Sequence, residues 1–151
     1  MSAPDLAFTE YDTRVAAYAV IVDERGMLLS WWNGGATPER ASWTLPGGGV
    51  DFAEQIEDAV IREVREETGY DAELTGFLFT HSWWDRNERN RPFKAVRIVY
   101  SARITGGTLG TLEVGGSTDR AAWLPLAELD ELTPQVRLLT LALDAWRAAQ
   151  D

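Results

Sequence analysis

From Gly47 to Tyr70 the chain reads GGGVDFAEQIEDAVIREVREETGY, three glycines followed by a helical pattern and a closing glycine. The periodicity predicts a helix over 52–68. Asp51 is placed to cap it, and Glu54, three residues on, completes a capping-box arrangement. Gly69 sits where a left-handed C-terminal cap needs no Cβ. At about 100° per residue, Ala53, Ile56, Ala59, Val60 and Val64 fall in one sector, which should face a core. Glu63 and Glu67 fall inside that same sector, with Glu66 at its border and Arg62 beyond.

Residues at i, i+3 and i+4 of a helix share one patch of surface, so three carboxylates converge there. A charge run is ordinarily a solvated face, here with Arg62 and Arg65 as partners. That reading fails on geometry, because the apolar stripe and the acidic cluster coincide. Uncompensated carboxylates facing a core are costly, and the negative end of the helix dipole adds to the repulsion. A hard divalent cation, Mg²⁺ or Mn²⁺, removes the conflict, since it takes oxygen ligands on a rigid frame. Gly47, Gly48 and Gly49 permit close backbone approach, so a carbonyl there can join the metal shell.

Charge narrows the partners. The 151 residues carry 24 acids against 14 Lys and Arg, a net charge of −10. Residues 51–67 hold seven acids and two bases, −5, half of that total. A duplex nucleic acid asks for a basic stripe on a basic domain and is excluded as a partner. With no cysteine, thiolate metal sites and thiol nucleophiles are excluded too. No basic, apolar leader opens the chain and no apolar run reaches membrane-spanning length, which predicts a cytoplasmic protein without a membrane partner.

Outside this segment, residues 1–12 read as a flexible N-terminal arm and 13–151 as one domain. Arg14–Val22, a turn at Asp23–Gly26 and Met27–Trp32 read as a hairpin. Trp43–Pro46 reads as a short extended piece, and Leu74–Trp84 as a strand before a polar loop, Asp85–Pro92. Phe93–Ile104 alternates, with Val96, Ile98, Tyr100 and Ala102 on one face and Arg97, Ser101 and Arg103 on the other. Gly106-Gly107 and Gly115-Gly116 bracket a weak β segment, Ala121–Leu124 is a last strand, and Thr133-Pro134 opens a final helix to Ala149. Strands, helix, strands, helix predict an α/β fold, a mixed sheet with a helix against each side.

Gly48, five residues to Glu54, then seven to Arg62-Glu63-Val64-Arg65-Glu66-Glu67-Thr68-Gly69-Tyr70 resembles the Nudix box in full, G-x5-E-x7-R-E-U-x-E-E-x-G-U with U bulky and apolar. Seven fixed identities match a given window by chance on the order of 10⁻⁹ to 10⁻⁸ of the time. Trp43-Thr44-Leu45-Pro46 and Ala122-Trp123-Leu124-Pro125-Leu126 also look like the family, so the resemblance covers most of Val15 to Leu129. It implies an α/β/α sandwich and a Mg²⁺-dependent (or Mn²⁺-dependent) hydrolase. Such an enzyme cuts the pyrophosphate of a nucleoside diphosphate linked to another moiety and releases a nucleoside monophosphate. By the resemblance, Glu63, Glu66 and Glu67 are metal ligands with the Gly48 carbonyl, Arg62 orients a box glutamate, and Glu54 and Gly69 hold the loop and helix geometry. A general base is one of the box glutamates, Glu113 or Asp119.

The substrate is less defined. Arg86, Arg89, Arg91 and Lys94 form the one basic cluster, and Arg40 and Asp119 are further candidate contacts. Trp31-Trp32 and Trp83-Trp84 are predicted to send one ring inward and one outward each. Trp84-Asp85-Arg86-Asn87 stands where some Nudix subgroups carry a Pro or Tyr marker, so nucleoside triphosphates, oxidised nucleotides, ADP-ribose and nucleotide sugars all stay open. A nucleotide-sensing Nudix fold without hydrolysis is the alternative, and the intact box argues against it. Isomerisation of an isoprenoid diphosphate needs a cysteine this chain lacks. The N-terminal arm and Trp-rich surfaces are compatible with a homodimer.

Overall fold

A computed structural model describes residues 3–151. Its elements are β1 (Asp12–Val20), β2 (Val22–Asp23), β3 (Gly26–Trp32), β4 (Ser42–Thr44), β5 (Gly47–Gly49), α1 (Ile56–Thr68), β6 (Tyr70–Arg86), β7 (Pro92–Gly107), β8 (Thr118–Leu124) and α2 (Arg137–Ala149). Short 3₁₀ turns stand at Pro38–Arg40 and Leu126–Glu131. The mixed sheet runs β5-β1-β7-β6, with β1 parallel to β7 and the other pairs antiparallel. In the second sheet β3 pairs with β2, β4 and β8, all antiparallel.

The β1 strand explains the layering. Both its edges are hydrogen-bonded and both its faces are covered, so it reads as a nearly continuous apolar run. Ala17, Ala19 and Ile21 join Val60 and Val64 of α1 in one core. Val20 joins Leu29, Leu45, Val99 and α2's Leu138, Leu139, Ala142 and Leu143 in the other. The α/β/α sandwich is thereby realised, with α1 and α2 on opposite sides. No helix among the described residues is long and apolar enough to cross a membrane.

Several expectations need correction. The hairpin of 14–22 with 27–32 does not form, because β5 and β7 already occupy both edges of β1. Only the stub Val22↔Met27 and Asp23↔Gly26 pairs, and β3 leaves for the second sheet. Gly26 makes this turn at φ +113, where a Cβ would lie 2.1 Å from the Leu124 carbonyl oxygen.

The α1 helix begins at Ile56, not 52, and Phe52 and Ala53 are exposed. Asp51 does not cap it. Gln55 takes the N-cap without a side-chain bond, while Glu54 accepts from Asp51 N–H at 3.2 Å and from Arg62, which holds 51–54 as a turn ahead of the helix. The C-terminus is as expected, with Gly69 left-handed at φ 81 and its N–H donating to Arg65 C=O.

The α2 helix likewise starts later, at Arg137. Residues 133–136 instead run beside β4, where Trp43 N–H donates to Pro134 C=O and Val136 N–H to Trp43 C=O. The strands β6 and β7 extend past their predicted ends, and the segment between Gly107 and Gly115 forms no strand. Its backbone is drawn instead to the end of α1, where carbonyls lack helical partners. Gly110 N–H donates to Thr68 C=O, and the Leu112 and Glu113 N–H groups donate to Glu66 C=O. The tryptophan doublets divide differently. Trp31 packs edge-on against Trp43, Trp32 lines a cavity, and Trp83 and Trp84 are both exposed.

Candidate active site

The sheets diverge around a cavity of about 380 Å³. It is lined by Glu63, Glu67 and Glu113, by Gly47, Gly48 and Gly49, and by Arg14, Arg97, Tyr18 and Trp32. Glu63 and Glu67 reach it because they share the core-facing sector of α1, as the helical wheel predicts.

Glu67 is only 5% exposed. Its carboxylate accepts from Gly47 N–H at 3.0 Å, from Thr118 Oγ1 at 3.0 Å and from Ser30 Oγ at 3.2 Å. Burial pushes its pKa up to about 8 against the pull of these donors, and the neighbouring Glu63 charge adds to the rise. Burial also raises Glu63, opposed by Arg62. Glu66 is not among the residues lining the cavity, is about half exposed and shares Arg62 Nη1 with Glu63.

Arg62 is the hub of the loop and helix. Its Nε and Nη2 donate to the two oxygens of Glu54 at 2.8 and 2.9 Å. Nη1 reaches Glu63 at 3.1 Å and Glu66 at 3.2 Å, and Nη2 also donates to Gly49 C=O at 3.2 Å. The guanidinium holds the Glu54 carboxyl down at about 2. One cation thus fixes three box carboxylates and the glycine strand.

Among the described residues no three Asp, Glu or His side chains by themselves surround a point that could hold a metal ion. Two carboxylates and the glycine strand do fit a hard cation together. All the donors are oxygen, and a Cβ at Gly48 would fall 2.9 Å from the Glu63 carboxyl, so only glycine leaves this space open. Glu113 faces the same space and its charge acts on Glu63. The loop's bonds to the end of α1 put it there, Thr111 Oγ1 donating to Glu67 C=O at 2.7 Å among them.

The remaining candidates lie elsewhere. Asp119 is exposed, accepts from Asn33 Nδ2 at 2.9 Å and does not line the cavity. Arg40 ends an exposed 3₁₀ turn. Arg86 and Arg91 stand at the far tip of β6 and β7, Arg86 bonded to Asn90 C=O and Arg91 to Asp12. Sequence reasoning missed Arg14 and Arg97 as cavity residues. The alternation of β7 did set Arg97 apart from the apolar face, but nothing local showed that its face is closed over by residues 136–138.

The chain is similar to proteins of known family. The sequence profile of the NUDIX domain matches residues 12–143. An ADP-ribose pyrophosphatase of Methanocaldococcus jannaschii is 33% identical over 95 residues, 63% of this chain and 53% of that protein. A MutT-like protein of Streptomyces ambofaciens is 29% identical over 145 residues, 96% of this chain and 84% of the relative. The chain spans about half or less of the length of the first curated relatives it matches. Among solved structures, a MutT NUDIX hydrolase from Burkholderia pseudomallei is 30% identical with a TM-score of 0.71, covering 89% of this chain and 98% of that one.

Proposed function

Since the chain belongs to the NUDIX domain family, we propose that it is a cytoplasmic, Mg²⁺-dependent (or Mn²⁺-dependent) hydrolase. It cuts the pyrophosphate bond of a nucleoside diphosphate derivative and releases a nucleoside monophosphate. The observation that carries this is Glu67. A buried carboxylate held by three donors at the wall of a cavity, with Glu63 beside it, suits a cation-dependent site better than a structural one. Glu63 and Glu67, with the Gly48 backbone, would hold the ion, and Glu66 would join from the rim. When bound, such an ion neutralises phosphate charge and makes water more acidic.

The chain's own residues do the rest. Arg62 keeps Glu63 in place and ties Glu54 to the glycine strand, so the carboxylates keep their geometry when the cavity fills. Glu113, on a loop pinned to α1, is the favoured proton acceptor for the attacking water. The missing side chains of Gly47–Gly49 let phosphate oxygens lie against backbone.

The test is product analysis by mass spectrometry. A panel of canonical and oxidised nucleoside triphosphates, ADP-ribose, nucleotide sugars and dinucleoside polyphosphates is incubated with Mg²⁺ and again with chelator. A nucleoside monophosphate formed only with metal supports the reading. No turnover, with a nucleotide still raising the melting temperature, would replace it by a sensing module.

A further inference from the structure

We propose that Arg14 and Arg97 form a second phosphate subsite in this cavity, so that the substrate is a nucleotide ending in a free phosphate, a nucleoside triphosphate rather than a nucleoside diphosphate capped by a neutral sugar. The proposal rests on the hydrolase reading and gives it a substrate class.

The first observation is the pairing of the arginines. Six of the thirteen arginines lie within salt-bridge distance of a carboxylate among the described residues, and of the seven that do not, all but Arg97 are exposed. Arg97 is half-buried, yet among the described residues it pairs with none. The charged and titratable groups acting on it are Tyr18 and Arg14, and His81 stands opposite on β6. Its guanidinium carbon lies 5.7 Å from the Trp83 ring centroid, which steadies the side chain without satisfying its N–H groups. A desolvated cation beside a second cation is unfavourable unless an anion joins them. A chain with net charge −10 has acids to spare, yet among the described residues none lies within salt-bridge distance of Arg14 or Arg97.

The second observation is the strand between the two charged ends. Consecutive residues of a strand face opposite sides. A Cβ at Gly48 would meet the Glu63 carboxyl at 2.9 Å, and one at Gly49 would meet Arg14 Nη2 at 3.1 Å. Register puts Arg97 beside Ala16, two residues from Arg14 on the same face of β1. Glu63 therefore stands on one side of β5 and Arg14 on the other, and the strand between them contributes no side chain of its own. A phosphate chain laid across the glycines puts the bond to be cut at Glu63 and Glu67 and its end at the arginines. A terminal phosphate carries about 1.5 to 2 negative charges at neutral pH, enough for both cations, where a sugar offers only hydroxyls.

The test compares distal groups on one nucleoside, ATP against ADP-ribose and GTP against a GDP-sugar, with Mg²⁺. The triphosphate is expected to have at least tenfold higher kcat/KM. Arg97→Gln should raise its KM at least tenfold and lower the triphosphate-to-sugar ratio by a similar factor. A preference for the sugar compound, or equal loss on both, overturns the proposal. Independently, inorganic tripolyphosphate should raise the melting temperature of the metal-free protein, and less so for Arg97→Gln and for Arg14→Gln, whose exposed site tolerates the change. No rise in the parent protein overturns the subsite. If no nucleotide is turned over, the hydrolase reading fails while the tripolyphosphate result still decides the subsite.

Discussion

The backbone N–H of Gly47 donates to the carboxylate of Glu67 at 3.0 Å, joining the strand before the loop to the last turn of the helix after it. The bond explains why the glycine run and the helical glutamates occur together. The strand is positioned by the group it serves, and the carboxylate is oriented by a backbone donor that only proline would remove. Thr118 and Ser30 complete the cradle from β8 and β3, so Glu67 is held by residues from three strands.

Glu67→Gln tests this group directly. The amide keeps the shape, and the Ser30 and Thr118 hydroxyls can turn to suit it. The fold is expected to persist, with a metal-free melting temperature at pH 8 no lower than the parent's, because a buried charge has been removed. Turnover is expected to fall by at least about 10²-fold. Near-normal kcat/KM with Mg²⁺ would refute the assignment of Glu67 to the metal site.

Arg62→Ala removes the cation shared by Glu54, Glu63 and Glu66. The three carboxylates, one ahead of α1 and two along it, then repel one another, and the partly exposed network should lose about 1–3 kcal/mol of stability. Arg62→Lys is expected to recover little of the activity, since an ammonium cannot make the paired bonds to Glu54. Chemical denaturation and steady-state kinetics on both variants check this. Full recovery by lysine would show that charge alone, not the forked geometry, is what the site uses.

The pH dependence follows from Glu67. Its folded pKa of about 8 lies above the ordinary carboxylate value, so the folded state favours the proton. That contribution is fully present below about pH 4.5 and is lost as pH rises through 8. Glu63, raised in the same direction, adds to the trend. With chelator, the melting temperature is expected to fall by at least about 5 °C between pH 5.5 and 8.5. Mg²⁺ should flatten the curve, and Glu67→Gln should reduce the slope without metal. A chelated protein that gains stability over this range would contradict the shift.

What could be read without coordinates depended on how local the cause was. The sector shared by Val60, Val64, Glu63 and Glu67 follows from helix geometry alone, and the left-handed end at Gly69 from a missing Cβ, so both are found as expected. The start of α1 falls later than its periodicity predicts because Glu54 answers to Arg62, eight residues on, and holds 51–54 as a turn. The hairpin between β1 and β3 failed because edges of β1 are claimed by β5 and by β7, a strand more than seventy residues away. Arg97 was legible as a polar-face residue, but the cavity over that face is made by elements distant in sequence.

By sequence, Glu113 and Asp119 stand beside the box glutamates as candidates for the proton acceptor, and the fold separates these two. Glu113 N–H is bonded to Glu66 C=O, and its side chain lines the cavity with Glu63. Asp119 is turned to Asn33 on the surface. Glu113→Gln should therefore lower kcat by about 10²–10⁴-fold, the range of a positioned base, with little change in KM or in metal-free melting temperature. Asp119→Asn should leave kcat within about twofold. The pH profile of kcat sharpens the comparison, since losing the base should flatten its acidic limb in the Glu113 variant alone. A large loss in Asp119→Asn with normal turnover in Glu113→Gln would move the base to β8, and the loop's bonds to α1 would then serve only to finish the helix.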